Sequence, residues 1–556
     1  MGIERGTGRR AGALGWPVWL LLALTWFATM PTRALLDPDE GRYSEIPREM
    51  LASGDWITPR FNGLKYFEKP PLQYWATAVA IGVFGLHEWS ARLWTVGLAF
   101  ACLPLVYGWV GRLYGETAAL AALAALASSP FFGVVGHLNL LDPAFTFFLT
   151  AAVLAFTLAQ SAPMHSRGER RWMLIAWAAA ALAILSKGIV VGVLAGASLV
   201  LYTLIERDGL TWRRLHALAG LALLLLIAAP WFIVVSLRNP SFAGFFFVHE
   251  HFARFLTTVH QRVEPWWYFL PLLLIGVLPW VGAFVRAVPR AWGDSPGGAR
   301  PANAEGAAAF KPLKFLLVFS AVTLVFFSAS GSKLAPYVLP LFPLLAALTG
   351  ASTLDAGRLA KYASRIAAGL IVFVAGGLLI YSARRNSFVP HEALGWALAA
   401  AILAILAVLV TLSRTGRLGP VPSVALSAIA AILCWQFLLY EYSVIPPSRS
   451  ARDLVRIVRP SVGSETPLYS VGQYRETLSP YLARTLTLAG FEGELAFGLA
   501  EEPEKRMTTE EFARRWSAAG DGVAFIDPSV WDSWRRRGLP GRVLGADNYT
   551  VAVSRL

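Results

Sequence analysis

Residues 172–205 read WMLIAWAAAALAILSKGIVVGVLAGASLVLYTLI, two apolar stretches that only Lys187 and Gly188 separate. Each stretch approaches the roughly 17–25 mainly apolar residues that a helix needs to cross a bilayer. Arg170 and Arg171 precede the first stretch, and Arg207 follows the second. The segment therefore predicts two membrane-spanning helices that are joined by a short turn and carry basic residues at their far ends.

The composition of the whole chain agrees with this interpretation. Of its 556 residues, 56% are hydrophobic and 15% are charged, whereas a soluble domain carries about 25% charged residues. The net charge is +14, but Lys and Arg lie mostly between apolar stretches, which favours membrane orientation and anionic lipids over nucleic acid. Cys102 and Cys434 both lie in apolar stretches, where packing is a better explanation than a disulfide.

Comparable apolar runs recur along the chain and predict about thirteen membrane spans. They lie near 12–30, 90–111, 117–136, 143–161, 172–186, 188–205, 215–236, 266–288, 315–330, 335–352, 366–381, 393–412 and 421–441. The first run is too long for a typical signal peptide and no clear cleavage site follows it, so we expect it to be retained. A further apolar run, 71–86, is ambiguous.

The basic loops decide how the ambiguous run is placed. Arg9 and Arg10 put the N-terminus in the cytoplasm, because cytoplasmic loops carry an excess of Lys and Arg. If 71–86 does not cross, six further basic loops also lie inside, and only Arg384 and Arg385 disagree. We therefore predict that 71–86 is an interfacial helix. The first loop, 31–88, and the C-terminal segment then both lie outside.

The C-terminal segment, 442–556, differs from the rest of the chain because it is more charged and contains short β-rich runs. These runs are Leu468–Val471, Val523–Ile526 and Tyr549–Val553, and a helical pattern covers 509–518. The pattern predicts a small α/β domain. It would follow a transmembrane catalytic domain at 1–441.

The first loop contains a dense group of polar side chains, LDPDEGRYSE at 36–45. Carboxylates such as these can act as a base, bind a cation or hold an amino group. Arg42 and Lys69 are side chains that bind phosphate. An ordinary solvated loop accounts for the same composition, so the motif suits a charged substrate without requiring one.

Three more charged or titratable side chains lie at the predicted outer boundary. Asp142 either takes part in chemistry or caps the helix that it opens. His249 belongs to a His-Glu-His sequence that has no recognised metal-ligand spacing and is more often surface than ligand. Lys333 either meets a lipid phosphate or extends its ammonium towards water. The collection of charge on one side favours an enzyme over a transporter, whose charged groups lie near the midplane.

Several strings in the chain are similar to a known family. The strings DPDEGRY at 37–43, WITPR at 56–60 and YFEKPPLQYW at 66–75 resemble the bacterial aminoarabinose transferases of lipid A. Those enzymes stand with the protein O-mannosyltransferases among the C-type glycosyltransferases, which use lipid-linked sugars. GQYRETL at 472–478 and ELAFG at 494–498 resemble the family's external domain. The resemblance implies a polytopic α-helical membrane protein of the C-type glycosyltransferase fold.

The resemblance also implies a reaction and its partners. The donor would be undecaprenyl phosphate carrying 4-amino-4-deoxy-L-arabinose, and the acceptor would be a phosphate of lipid A. The enzyme would be a monomer in the bacterial inner membrane with its active site on the periplasmic face, and its product would confer resistance to polymyxin. A protein O-mannosyltransferase-like enzyme and a lipid-sugar flippase remain as alternatives.

Residue roles carry over from the resemblance position by position. Asp39 and Asp142 would be the catalytic acids, and Tyr43 and Tyr66 would line the cavity. The donor phosphate would be bound by Arg42, Lys69, Lys333 and Tyr337. Glu68 and His249 would be candidates for a divalent metal ion such as zinc. Because a phosphate acceptor is already anionic, Asp39 is expected to act by charge and position more than as a base.

Overall fold

The structure is a computed structural model that describes residues 14–253, 264–278, 280–293, 310–353, 420–444, 449–518 and 521–555. The predicted spans at 366–381 and 393–412 lie outside these residues. So do Arg9 and Arg10, and the two dissenting arginines, Arg384 and Arg385.

Helices make up most of the chain up to residue 444. In chain order they are α1 (Trp16–Phe27), α2 (Asp39–Ser53), α3 (Leu72–Phe84), α4 (Glu88–Tyr114), α5 (Glu116–Ala127), α6 (Pro130–Gly136), α7 (Leu141–Ser161), α8 (Arg167–Lys187), α9 (Val190–Glu206), α10 (Leu210–Arg213), α11 (Ala217–Arg238), α12 (Phe269–Gly276), α13 (Val281–Gly293), α14 (Pro312–Ala329), α15 (Leu341–Ala351) and α16 (Pro420–Val444). A π-helix covers Gly244–Ala253 and a 3₁₀ turn covers Ala335–Val338. A short hairpin, β1 (Arg60–Phe61) and β2 (Leu64–Lys65), lies between α2 and α3.

Among the described residues, four helices are long and apolar enough to cross a membrane, and up to six spans result if each bent helix pair counts as one. The four are α4, α7, α11 and α14. The bent pairs are α5 with α6, at 63°, and α12 with α13, at 107°. The chain is therefore a multi-pass membrane protein, and the count of about thirteen spans stays a prediction.

Helix α5 lies at the centre of the bundle. Ten consecutive residues, 118–127, are buried, and they are all Ala or Leu. Small side chains let neighbouring backbones approach closely, which is how membrane helices pack without a hydrophobic driving force. Gly350 of α15 lies against Ala122, and a Cβ on that glycine would lie 2.5 Å from the Ala122 Cβ.

The C-terminal segment forms a five-stranded sheet with helices around it. After α17 (Arg452–Val458) come β3 (Leu468–Val471), α18 (Leu478–Leu482), β4 (Thr487–Ala489), α19 (Ala496–Glu501), α20 (Thr509–Ala518), β5 (Val523–Ile526), α21 (Pro528–Arg536), β6 (Arg542–Ala546) and β7 (Val551–Ser554). The strand order is β4-β3-β5-β7-β6, in which β3 pairs in parallel with β4 and β5. Strand β7 is antiparallel to both of its neighbours. The predicted strands and the helix at 509–518 are confirmed.

The C-terminal sheet and the first loop share one hydrophobic core. Ile46, Phe61 and Leu64 of the loop are buried in the same cluster as Leu488 and Leu499 of the C-terminal segment. Polar contacts reinforce the packing: the Asn62 side chain donates to the carbonyl of Leu486 at 2.8 Å and accepts from its amide at 2.8 Å. Burial of their apolar faces joins the first loop to the C-terminal segment, and the division into domains at 1–441 and 442–556 stays a prediction. This joint structure covers one side of the cavity described next.

Candidate active site

A cavity of about 750 Å³ lies where the first loop, the transmembrane helices and the C-terminal segment meet. Its charged wall residues come from four separate parts of the chain, namely α2 and the loop after it, the α7 and α8 ends, the π-helix, and the C-terminal segment. They are Asp39, Arg42, Glu68, Lys69, Asp142, Lys187, Glu250 and Glu494. The apolar part of its wall contains Ile189, Val190, Val193, Phe326, Phe327 and Leu334. The cavity thus suits a ligand with one polar end and one apolar end.

Of the three acids at positions 37–40, only Asp39 lines this cavity. The Asp37 carboxylate accepts from the Thr477 amide at 2.7 Å and pairs with Arg475 at 3.1 Å. Glu40 forms two bonds of 2.7 Å with the buried guanidinium of Arg92. Asp39 is the acid whose side chain, 43% exposed, faces the cavity.

Burial and ion pairing shift the pKa values of Asp37 and Glu40 in opposite directions. Burial raises the pKa of Asp37 above its ordinary value, and Arg475 and Thr477 offset that rise only in part. Burial also opposes ionisation of Glu40, but the charge and hydrogen bonds of Arg92 outweigh it and hold the pKa of Glu40 below its ordinary value. Both carboxylates therefore anchor the first loop.

Helix geometry places Asp39, Arg42 and Tyr43 together. These residues stand three and four apart on α2, which puts their side chains on one face. The Arg42 guanidinium lies 3.4 Å from the Asp39 carboxylate and also forms an ion pair with Glu494. Burial would lower the pKa of Arg42, but Tyr66, Glu494 and Asp39 raise it above its ordinary value. Arg42 is thus a permanent cation that holds Asp39 at the wall.

The two tyrosines predicted to line the cavity occupy different places. Tyr43 lines it, whereas Tyr66 is not among its wall residues and is 2% exposed. The rings of Tyr43 and Tyr66 lie 5.8 and 5.9 Å from the Arg42 guanidinium. Burial raises the pKa of both phenols, so both remain neutral. Tyr66 therefore acts as the packing support of Arg42, and its predicted place in the wall is corrected.

Lys69 is held between two parts of the chain. Its ammonium donates to the Glu68 carbonyl at 2.9 Å and to the Glu250 carboxylate at 3.4 Å. Burial and the nearby carboxylates of Glu250 and Glu494 raise the pKa of Glu68 above its ordinary value. Sequence reasoning did not select Glu250, although it lies beside His249 in a stretch already singled out. Only the fold shows that Glu250, rather than its neighbour, reaches the wall.

The expected divalent-ion site is not assembled among the described residues. Glu68 lines the cavity, but His249 is 45% exposed, stacks on Phe245 and has its Nδ1 3.6 Å from the Glu250 carboxylate. In the described part of the chain, no group of three or more His, Cys, Asp or Glu side chains is arranged to hold a metal ion. A divalent ion at Glu68 and His249 therefore stays a prediction, and we derive no catalytic step through one.

Asp142 and Lys187 form an ion pair of 2.5 Å at the cavity wall. Asp142 lies in the first turn of α7 and Lys187 ends α8. The Lys187 ammonium also lies 4.5 Å from the centroid of the Tyr337 ring and 5.3 Å from that of Phe145. The sequence analysis placed Lys187 only in the short turn between two predicted spans. A charged residue at the end of an apolar span was the sequence feature that could have indicated a functional role.

Lys333 and Tyr337 were both predicted to bind the donor phosphate, but only Tyr337 lines the cavity. Lys333 is 7% exposed, and its ammonium donates to the Ser330 carbonyl at 2.7 Å. The lining residues nearest to it in sequence are Ser332 and Leu334. Lys333 therefore closes the turn between α14 and the 3₁₀ helix, and its contact with the donor phosphate stays a prediction.

Comparison with sequence families defines the class of protein. A model of dolichyl-phosphate-mannose-protein mannosyltransferases matches residues 19–246. A model of the aminoarabinose transferase C-terminal domain matches residues 454–555. With the polytopic helical fold and the amphiphilic cavity, these matches define a membrane glycosyltransferase of the C-type fold.

Two solved structures of one relative identify the family within this class. The crystal structure of ArnT from Cupriavidus metallidurans bound to undecaprenyl phosphate is 33% identical, covers 98% of this chain and 99% of its own, and superposes with a TM-score of 0.85. The apo structure of the same protein gives a TM-score of 0.83 at 34% identity, over 98% of each chain. The chain therefore belongs to the ArnT family of aminoarabinose transferases.

Curated relatives agree with this assignment. The undecaprenyl phosphate-α-4-amino-4-deoxy-L-arabinose arabinosyl transferase of Erwinia tasmaniensis is 34% identical over 369 residues. That alignment spans 64% of each chain. The enzyme of the same name from Pseudomonas aeruginosa is 35% identical over 63% of this chain and 62% of its own. The aligned region thus spans less than two thirds of these relatives.

Proposed function

We propose that the protein transfers 4-amino-4-deoxy-L-arabinose from undecaprenyl phosphate to a phosphate of lipid A. The observation that carries the proposal is the amphiphilic cavity, which both charged and apolar side chains line. A polyprenyl chain fits the apolar wall, and a phosphate-linked sugar fits the charged wall. A related structure was solved with undecaprenyl phosphate bound.

The charge of the wall supports an amino sugar as the transferred group. Five carboxylates line the cavity, together with the three cations Arg42, Lys69 and Lys187. A neutral sugar gains nothing from an excess of carboxylates, whereas a sugar ammonium is stabilised by it. This difference favours aminoarabinose over mannose.

The cations have a distinct task. Departure of the sugar leaves a second negative charge on the lipid phosphate, and cations already in place stabilise that charge without reorganising. Lys69 and Lys187 line the cavity, and a carboxylate of Glu250 and of Asp142, respectively, holds each of them in position. These two lysines support the phosphate-binding role better than the buried Arg42 and Lys333.

The reaction requires little help from a base. An oxygen of the lipid A phosphate forms a bond to the anomeric carbon, and the bond from that carbon to the donor phosphate oxygen breaks. Undecaprenyl phosphate leaves with the electron pair. Because the second pKa of a phosphate monoester is about 6, the acceptor oxygen is already anionic at neutral pH. Asp39 then stabilises positive charge at the anomeric carbon or positions the sugar, and we expect inversion.

A purified, detergent-solubilised preparation of the full chain tests the proposal. Supplied with the lipid-linked aminoarabinose and lipid A, it should yield lipid A heavier by one aminoarabinose, measured by mass spectrometry. Asp39→Asn should abolish the product while the protein elutes as a folded species. Asp532→Asn, at an exposed position of α21, should leave the product unchanged.

Two results would overturn the proposal. Transfer of mannose from a polyprenyl phosphate to a protein hydroxyl, with lipid A unmodified, would show a protein O-mannosyltransferase-like enzyme. Movement of the lipid-linked sugar across vesicles without any product would show a flippase.

In cells, we propose an inner-membrane protein whose cavity faces the periplasm. Deletion of the protein should remove aminoarabinose from lipid A and lower polymyxin resistance.

A further inference from the structure

Helix α8 connects the active cavity to a second region of the molecule. Its last residue, Lys187, lies on the wall of the active cavity. Its first residue, Arg167, borders two other cavities. A helix of 21 residues is about 30 Å long, which equals the thickness of the hydrocarbon core of a bilayer. The two regions are thus separated by about one membrane thickness.

Three arginines surround the second region. The two cavities, of about 530 and 560 Å³, share Arg167 and Arg170, and the first is also lined by Arg171. All three side chains are exposed. Within the described part of the chain, none of the three forms an ion pair with a carboxylate. We call this cluster the arginine pocket.

The acidic residue of the same helix turn does not offset this charge. Glu169 is 2% exposed and turned inward, where its carboxylate lies 3.2 Å from Arg214 Nε. Arg214 also donates to the carbonyls of Gln160 at 2.6 Å and Ala162 at 2.6 Å. These bonds join the end of α7 to the start of α8. Hydrogen bonds therefore fix the floor of the arginine pocket, and among the described residues no carboxylate pairs with the arginines at its rim.

An apolar surface continues from the arginine pocket along α8 and α11. The first cavity is also lined by Leu174, Ile175, Ala178 and Leu223. Beyond it, on the same side of α11 as Leu223, Leu226 is 73% exposed and Ile233 is 57% exposed. Leu223, Leu226 and Ile233 stand three and seven apart and lie on one face of the helix. A positive rim that leads into an exposed apolar groove matches the two parts of a phospholipid.

We propose that the arginine pocket binds an anionic phospholipid in the leaflet opposite the active cavity. Its phosphate lies among Arg167, Arg170 and Arg171, where guanidinium groups bind phosphate in bidentate fashion. One acyl chain lies along Leu223, Leu226 and Ile233. Basic pockets between membrane helices bind such headgroups on the cytoplasmic side, the side to which the basic loops assign Arg167. A free phosphate ion has no apolar part that could contact the groove.

Native mass spectrometry of the full chain in detergent tests the proposal, with cardiolipin or phosphatidylglycerol added in one arm and phosphatidylcholine in another. The wild type should retain the anionic lipids, and they should raise its thermal unfolding midpoint by several degrees. The variant Arg167→Gln/Arg170→Gln/Arg171→Gln should lose at least tenfold in anionic lipid occupancy. The variant Arg535→Gln/Arg536→Gln/Arg537→Gln removes the same charge from exposed positions in the C-terminal segment and should keep the lipid.

Three outcomes would overturn the proposal. The first is equal lipid occupancy in the two triple variants, and the second is equal retention of phosphatidylcholine by the wild type. The third is equal stabilisation by inorganic phosphate, which would show an ion site without a lipid groove. If the triple variant does not fold, Arg170→Gln alone should still weaken retention of anionic lipid. An unchanged affinity in that single variant would also exclude the pocket.

Discussion

Arg42 of α2 forms an ion pair with Glu494 of the C-terminal segment. The pair joins the first loop to a sheet that begins more than four hundred residues later. Arg42 also contacts Asp39, so Glu494 acts on the cavity through the position of that arginine. The C-terminal segment therefore contributes to the wall of the cavity.

Replacement of Glu494 tests this relationship. Glu494→Gln keeps the shape of the side chain and removes its charge, which should leave Arg42 less firmly placed beside Asp39. A hydrogen bond between charged groups contributes roughly 1.5–3 kcal/mol, so sugar transfer should fall by about 10- to 100-fold. Initial rates measured with the purified variant give the value. Glu504→Gln, at an exposed position, is the matched control, and equal rates in the two variants would contradict the role of Glu494.

The ion pair of Asp142 with Lys187 supports a second prediction. Lys187→Met should lower the transfer rate by about 100-fold or more, because loss of one preorganised charge at a developing anion costs roughly 2.7–4 kcal/mol. It should also destabilise the protein, because Asp142 loses its partner. The double variant Asp142→Asn/Lys187→Met should regain stability without regaining activity. Recovery of both would show that the lysine is purely structural.

The close approach of Gly41 to the C-terminal segment supports a third prediction. A Cβ at Gly41 would collide with the backbone of Glu476. Gly41→Ala should therefore cost about 1–3 kcal/mol of stability, as overpacking does, and lower the thermal unfolding midpoint by several degrees. Gly97→Ala is the control, because nothing lies within 4 Å of its added Cβ. An unchanged midpoint in Gly41→Ala would argue against the tight docking of the two regions.

The buried carboxyl of Glu49 predicts a dependence of stability on pH. Burial, followed by the charge of Glu45, raises the pKa of Glu49 to about 8. In the unfolded chain this carboxyl loses its proton at about pH 4.5, whereas the folded protein holds it up to about pH 8. The contribution of Glu49 to the free energy of unfolding is therefore full below about pH 4.5 and declines as the pH rises to about 8. Thermal unfolding between pH 5 and 8 should show the decline. Glu49→Gln, which keeps the acceptor for the Gly63 amide, should flatten it, and an unchanged slope would contradict the prediction.

The sequence by itself determined the class of fold. Long apolar runs predicted the spans because each helix must satisfy its own backbone in lipid, and helices lie at the described runs, such as 143–161 and 215–236. Short runs rich in β-branched and aromatic residues predicted the strands at 468–471 and 523–526, and strands lie there. Specific strings such as YFEKPP at 66–71 indicated the family. All of these signals are local in the chain.

Only the tertiary structure decided which charged residues form the site. Asp37, Asp39 and Glu40 are near neighbours in sequence. Asp37 pairs with Arg475 and Glu40 pairs with Arg92, whereas Asp39 alone faces the cavity. The wall residues Glu250 and Glu494 come from distant parts of the chain. A buried charge requires a partner, and that partner is supplied by packing rather than by sequence proximity. Pairing of distant charges therefore separates the structural acids from the acids of the cavity.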